Sequence, residues 1–289
     1  MENIKIAVAS GKGGTGKTTV SVNLAVSLRD LLKKEIQLVD CDIEEPNDIL
    51  FFKLDSEFNR KVGIKVPVIA PEKCTYCGIC SEVCEYNAIA IIKSAKKFFI
   101  SEDLCHGCGA CFHFCPENAM YEKENLIGEI NIYRDMNLKI IEGKLNISES
   151  MPTPVLRETL KEVDNKLLTI YDAPPGTSCS MVTTVTEADY VILVTEPTPF
   201  GFNDVKLAID VVKDLGKPFG VIVNKSNLGD REIYNFCEEN NIPILLEIPF
   251  DKKIAEVYSE GRIIVENISA YKEKFYNVYE KIKNILGKS

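Results

Sequence analysis

The feature that most constrains this fold is a glycine-rich loop between an apolar run and a helical pattern. Residues 4–10 are mostly apolar, the loop from Gly11 to Thr18 has the spacing G-x-x-x-x-G-K-T, and residues 18–33 place leucines at helical spacing. In such a strand–loop–helix the glycines let consecutive backbone N–H groups converge on a phosphate, and the helix N-terminus adds its positive end. The sequence therefore predicts a phosphate-binding loop at the end of a buried strand.

The same motif assigns roles to its side chains. We expect Lys17 to reach the β- and γ-phosphates of a nucleotide and the Thr18 hydroxyl to bind Mg²⁺. The rest of the predicted nucleotide contact in this loop consists of Gly11, Gly13, Gly14, Thr15, Gly16 and Thr19.

Alternating apolar and helical segments predict the fold class. Strands at 36–39, 167–171, 190–194, 219–223 and 244–248 are separated by helical patterns, and two helices end the chain. Strands this apolar are typical of a parallel sheet covered by helices on both faces. We therefore predict an α/β fold with a mostly parallel sheet. Residues 126–150 are expected to return through short strands with turns near Gly128 and Gly143.

Eight of the eleven cysteines lie between residues 74 and 115, in two C-x₂-C-x₂-C-x₃-C runs that repeat after 31 residues. These are the spacings of bacterial ferredoxins, in which the fourth cysteine of each run binds the other cluster. Zinc sites favour separate C-x₂-C pairs, and a disulfide framework suits a small secreted chain. We predict two [4Fe-4S] clusters, the first held by Cys74, Cys77, Cys80 and Cys115, the second by Cys84, Cys105, Cys108 and Cys111.

These patterns predict the domain organisation and the cellular location of the protein. We expect a discontinuous nucleotide-binding domain at 1–59 and 126–289, interrupted by a small α+β ferredoxin-like domain at 60–125. The net charge of −9 gives no strong signal for nucleic-acid binding. The sequence has no apolar run of the roughly 18 residues needed to span a bilayer and no signal peptide, so we expect a cytoplasmic protein.

A second lysine narrows the family. The stretch GKGGTGKTT, with Lys12 as its early lysine, resembles the deviant Walker A motif of the MinD/ParA superfamily, which includes nitrogenase iron protein and the Mrp-type cluster carriers. The resemblance implies that ATP brings two subunits into a homodimer in which Lys12 reaches the phosphates of the partner. The alternative is a solvated loop lysine.

Four further segments match the same superfamily pattern. Asp42 lies in a switch I-like segment, where the resemblance implies that it orients the attacking water. Asp172 and Gly176 lie in a DxPxG switch II-like segment, where the aspartate holds Mg²⁺ through water and the glycine N–H senses the γ-phosphate. Asn224 and Pro249 occupy positions where relatives contact adenine, although Asn224 could also be a turn former. ATP is favoured over GTP because the NKxD guanine motif is missing.

Three cysteines outside the two runs, the two histidines and an apolar stripe near the end of the sequence are further candidates. Cys41 and Cys237 are expected to be buried. Cys179 is either a small buried residue or a redox or cluster residue at a subunit interface, because nitrogenase iron protein has a cluster ligand at the same offset from its switch II aspartate. His106 and His113 are expected to face solvent rather than tune a cluster. The apolar stripe at 271–286 is expected to pack on the sheet, with peripheral membrane contact as the less favoured alternative.

Together these features predict an ATP-hydrolysing dimeric switch that couples nucleotide state to two clusters. The output would be ATP-gated electron delivery or metallocofactor assembly with an unidentified partner protein. One alternative is a positioning or partitioning ATPase whose clusters sense redox state. The other is a ferredoxin-like electron carrier with a regulatory nucleotide site.

Overall fold

A computed structural model describes residues 4–287, and the chain forms two compact units. The first unit contains the residues up to Asn59, the segment Ile130–Lys144 and the chain from Leu156 onward. The second unit contains Arg60–Glu129 and Leu145–Val155.

Strands and helices alternate along most of the described chain. The strands are β1 Lys5–Ala9, β2 Ile36–Asp40, β3 Phe58–Ile69, β4 Ile89–Ile92, β5 Lys97–Ile100, β6 Met120–Asp135, β7 Leu138–Leu145, β8 Leu168–Asp172, β9 Tyr190–Thr195, β10 Phe219–Asn224 and β11 Ile244–Ile248. The α-helices are α1 Lys17–Leu32, α2 Ile79–Glu82, α3 Ala110–His113, α4 Pro152–Leu160, α5 Cys179–Thr186, α6 Pro199–Asp214, α7 Glu232–Glu239, α8 Lys252–Ser259, α9 Ile264–Asn267 and α10 Ala270–Ile285.

The main sheet confirms the predicted α/β class. Its strand order is β11-β10-β9-β1-β8-β2-β7-β6-β3, and every pairing from β11 to β7 is parallel. All residues of β2, β8 and β9 are buried, as expected for central strands covered on both faces. The carboxyl ends of β1, β2 and β8 therefore meet at one edge of the sheet, where the first residues of the predicted nucleotide site follow.

The C-terminal helix α10 completes the core of the first unit. Its apolar stripe joins the same hydrophobic cluster as α1 and the central strands. The buried residues of the stripe are Tyr271, Phe275, Val278, Tyr279 and Ile282. This is the arrangement expected of a helix that packs on the sheet. Within residues 4–287, no helix is long and apolar enough to cross a membrane.

The region between residues 126 and 150 differs from the prediction. Gly128 lies inside β6 and Gly143 inside β7, and the turn between these strands falls at residues 136–137. The turns predicted at the two glycines are therefore wrong. Packing requires the glycine at position 143 instead. A Cβ there would lie 2.2 Å from Thr159 Oγ1 and 2.5 Å from Ile43 Cδ1.

The second unit shows the 31-residue repeat in its backbone. Positive φ angles recur at Gly78 and Gly109, each of which precedes a one-turn helix, α2 or α3. Two hydrogen bonds are also exchanged between the halves: Ala70 N–H donates to the Ala119 carbonyl at 2.7 Å, and Ser101 N–H donates to the Ala88 carbonyl at 2.8 Å. The repeat in sequence is thus a structural repeat of two similar halves.

Candidate nucleotide and cluster sites

The loop from Gly11 to Thr18 has the backbone of a phosphate cradle. Gly14 and Gly16 adopt φ angles of 76° and 96°, which favour glycine, and a Cβ at Gly16 would lie 2.5 Å from Asn224 Nδ2. Lys17 begins α1 and is buried, and the hydroxyl of Thr15 is buried without a hydrogen-bond partner among residues 4–287. An unpartnered donor beside a buried lysine fits a loop that receives an anionic group.

An open cavity of about 1320 Å³ extends from this loop. One wall is polar and comes from the P-loop, Asp42 and Asn47, and the other contains Pro249, Phe250 and Tyr258. A charged end followed by an apolar, partly aromatic wall fits a nucleotide, because the phosphates and the base need different surroundings. Of the predicted site residues, the lining contains Gly13, Gly14, Gly16, Lys17, Thr18, Thr19, Asp42, Asn224 and Pro249.

Asp172, at the end of β8, is held by two hydroxyl groups of α1. Thr18 Oγ1 donates to Asp172 Oδ2 and Ser21 Oγ donates to Oδ1, each at 2.7 Å. Burial raises the pKa of Asp172, while the charge of Lys17 and the two hydroxyl donors oppose that rise. Thr18 and Asp172 are thus in direct contact, as two residues that hold the same Mg²⁺ ion would have to be. Sequence reasoning missed Ser21, although it lies one helical turn after Lys17 on the same side of α1.

Asp42 lines the cavity in the loop after β2. Its pKa is raised to about 6, mainly by burial; Lys17 lowers it and Asp172 adds to the rise. A carboxylate that is ionised at neutral pH and lies in the cavity wall can accept a hydrogen bond from a water molecule.

Gly176 lies in the loop after β8 with a φ angle of 81°. Its N–H donates to the Ser10 carbonyl at 3.0 Å. This donor must leave Ser10 before it can contact a γ-phosphate, so the predicted sensing role requires a local rearrangement.

Asn224 supports the phosphate loop as well as lining the cavity. Its side-chain Nδ2 donates to the Thr15 carbonyl at 2.8 Å, and its Oδ1 accepts from the Lys225 N–H at 2.9 Å. The interpretation as a simple turn former therefore omits its contact with the loop.

Lys12 contacts a different element. Its Nζ lies 3.9 Å from Asp204 Oδ2 on α6, and each side chain is about one-third exposed. A Cβ at Gly11 would lie 2.0 Å from the Asp204 carbonyl oxygen, so glycine allows α6 to approach the loop. An ion pair this exposed stabilises by less than about 1 kcal/mol and is easily exchanged.

The cysteine runs line two apolar cavities in the second unit, whose volumes of about 400 and 350 Å³ include space open to solvent. Each cavity is lined by three cysteines of one run and the fourth cysteine of the other run. The larger is lined by Cys84, Cys105, Cys108 and Cys111, and the smaller by Cys74, Cys77, Cys80 and Cys115. Four sulfur ligands around an apolar cavity fit an iron–sulfur cluster.

Backbone donors are already directed at several of these sulfur atoms. Cys74, Cys84 and Cys115 each accept an N–H···S hydrogen bond, at 3.3 to 3.4 Å. Such bonds stabilise thiolate ligands and tune the potential of a cluster. Burial raises the pKa of Cys111 to about 11, so metal binding must displace a proton there.

The other cysteines and the histidines separate clearly by exposure. Cys41 and Cys237 are buried, and His106 and His113 are exposed, as predicted. Cys179 is the first residue of α5 and is exposed, so the interpretation as a buried residue is wrong. The apolar side of α5 is formed by other residues, including Met181 and Val185.

A phosphate loop on a parallel sheet, joined to a module with two four-cysteine sites, defines a P-loop nucleotide hydrolase with a ferredoxin-like insertion. Residues 6–264 match the family described as the CobQ/CobB/MinD/ParA nucleotide binding domain. The chain belongs to this family and is a P-loop ATPase.

Individual relatives and a solved structure are similar to the chain over most of its length. The chain is 36% identical to an uncharacterized protein of Methanocaldococcus jannaschii, over 98% of this chain and 97% of that protein. It is 27% identical to an iron-sulfur cluster carrier protein of Rickettsia conorii, over 95% of this chain and 70% of the carrier. Its fold is similar to the septum site-determining protein MinD complexed with Mg-ADP from Pyrococcus horikoshii, with a TM-score of 0.61, 21% identity and coverage of 100% and 99% of the two chains.

Proposed function

We propose that this ATPase is a homodimeric switch in which nucleotide state controls electron delivery from two [4Fe-4S] clusters to a partner protein. The main support for the proposal is that one chain contains both a nucleotide site and two four-cysteine sites. The chain between the switch I-like Asp42 and the switch II-like Asp172 contains all eight cysteines of the two cavities. A change in either switch is therefore covalently connected to the cluster module.

The residues of the nucleotide site support a hydrolytic role. Lys17 and the loop glycines would bind the phosphates, and Thr18 with Asp172 would hold Mg²⁺, which neutralises phosphate charge when bound. Asp42, ionised above a pH of about 6, would orient the attacking water. Gly176 would exchange the Ser10 carbonyl for the γ-phosphate, so that the loop after β8 differs between the two nucleotide states.

The proposal of a dimer rests on the position and contacts of Lys12. Because its Asp204 contact is one-third exposed and weak, Lys12 can leave it to reach the phosphates of a second subunit. Lys12→Ala should abolish ATP-dependent dimerisation, measured by light scattering with a non-hydrolysable ATP analogue. Lys206→Ala, which removes a lysine of α6 instead of the loop lysine, should leave dimerisation intact. A Lys12→Ala protein that still dimerises with the analogue would contradict the sandwich arrangement.

The coupling itself is tested on the holoprotein under anaerobic conditions. The reduction potential of the clusters should shift when the non-hydrolysable analogue binds, and the ATPase rate should differ between oxidised and reduced protein. A tenfold coupling corresponds to about 59 mV for a one-electron couple. Lys17→Ala, which removes the phosphate ligand, should lose the shift. If potential and ATPase rate are independent of each other in the wild type, the coupling proposal fails.

Metallocofactor assembly is the second candidate, and it is favoured by the similarity to a protein named as an iron-sulfur cluster carrier. It predicts that iron moves from this protein to an apo-acceptor during ATP hydrolysis. Electron delivery predicts instead that iron content stays constant over many turnovers. Iron analysis of both proteins after reaction separates the two candidates.

A further inference from the structure

Three buried carboxylates converge beside the switch segments. Asp40 ends β2 and Asp172 ends β8, and the two residues are paired across these parallel strands. Asp48 begins the short 3₁₀ helix Asp48–Phe51 that follows the switch I-like loop. Their exposures are 1%, 1% and 0%, respectively, and one oxygen atom from each lies within 4.8 Å of the other two.

Two of these carboxylates have their own donors. Asp40 accepts backbone N–H groups from Asp42 at 3.0 Å, Asn47 at 2.8 Å and Asp48 at 3.0 Å. Asp172 accepts the hydroxyl groups of α1 described above. These bonds orient both carboxylates and oppose the rise in pKa that burial causes at Asp40 and Asp172.

Asp48 is different. Both of its carboxylate oxygens are buried, and neither has a hydrogen-bond partner in the described part of the chain. Burial raises the pKa of Asp48, and the charges of Asp40 and Asp172 add to that rise, while Lys17 opposes it. A buried carboxylate next to two others is costly unless a positive charge lies among them.

The spacing of the oxygen atoms fits a divalent cation. Metal–oxygen distances of about 2.0–2.6 Å for Mg²⁺ and Ca²⁺ place opposite ligands about 4–5 Å apart. Oxygens within 4.8 Å of one another can therefore surround such an ion after small side-chain movements. Asn47, which precedes Asp48, lines the nucleotide cavity, so the cluster lies next to a residue of the cavity wall.

We propose that Asp40, Asp48 and Asp172 bind a divalent cation in the nucleotide-free protein, at a site distinct from the nucleotide-associated Mg²⁺ held by Thr18. The ion connects the end of β2, the loop after it and the end of β8. It therefore holds both switch segments together before a nucleotide arrives. Asp48 belongs to this site alone, whereas Asp172 serves both sites.

The experiment titrates Mn²⁺ into nucleotide-free holoprotein with oxidised clusters and counts free Mn²⁺ by electron paramagnetic resonance. We expect one Mn²⁺ per chain that is displaced by excess Mg²⁺, and at least tenfold weaker binding to Asp48→Asn. Glu44→Gln removes one exposed charge from the same loop and should bind like the wild type. Moderate salt suppresses binding to surface carboxylates.

A thermal measurement gives a second, independent readout. In chelator, Asp48→Asn should melt at or above the wild-type temperature, because it removes an uncompensated buried charge. Mn²⁺ should raise the melting temperature of the wild type and of Glu44→Gln but not of Asp48→Asn. If the wild-type protein binds no Mn²⁺ in the absence of nucleotide, the proposal is overturned. A proton on the carboxylates then compensates the buried charge. Equal Mn²⁺ affinity in wild type and Asp48→Asn overturns it as well.

Discussion

The hydrogen bond from Ser21 to Asp172 provides a quantitative test of how the nucleotide site is built. Ser21→Ala removes a fully buried donor 2.7 Å from a buried carboxylate oxygen. Hydrogen bonds to charged groups contribute about 1.5–3 kcal/mol, and the loss leaves Asp172 Oδ1 without this donor. We therefore expect the free energy of unfolding to fall by about that amount. The assay is urea unfolding of the nucleotide-free protein under anaerobic conditions, followed by far-ultraviolet circular dichroism.

The matched control is Ser27→Ala in the same helix. Ser27 is also fully buried, and its hydroxyl donates to the Asn23 carbonyl at 2.7 Å, an acceptor within α1 itself. Alanine has the higher helix propensity, by up to about 0.7 kcal/mol, which offsets part of this loss. Ser21 Oγ also lies 3.0 Å from the Lys17 carbonyl one helical turn earlier, so the two variants differ mainly in whether a charged acceptor is present as well. Equal losses for Ser21→Ala and Ser27→Ala would refute the reasoning that the carboxylate makes the difference.

Three further predictions concern other parts of the chain. Because Asp42 has a pKa of about 6 and must be ionised to orient water, the ATPase rate should fall as the pH drops through about 6; a rate that is flat from pH 7 to 5 would exclude this role. Cys115→Ser should lose the cluster of the smaller cavity and retain the other, so iron per chain should fall by about half on anaerobic purification, whereas Cys237→Ser should keep full iron content. Phe275→Ala should lower the free energy of unfolding by about 3–5 kcal/mol, because the side chain is 1% exposed in the core. Vesicle sedimentation should detect no change in lipid binding.

The sequence alone predicted those parts of the candidate sites whose residues are closely spaced along the chain. The phosphate loop and the two cysteine runs are short, and their spacing limits the backbone to a few conformations that can hold a phosphate or four sulfur atoms. The alternation of apolar strands with helices likewise predicts the parallel sheet, since strands joined through helices are typically parallel and covered on both faces. The α/β class was therefore predictable without coordinates.

The tertiary structure decided the features that depend on distant partners. Ser21 and Thr18 meet Asp172 across more than 150 positions of sequence, because β1, β2 and β8 end together at one edge of the sheet. The burial of Asp48 also follows from the packing around the end of β2, and the sequence pattern gives no sign of it. Exposure of Cys179 has the same origin, since a helix has one face against the sheet and spacing near its first turn does not fix which face that is. Local chemistry was thus readable from the chain, whereas burial and long-range pairing required the fold.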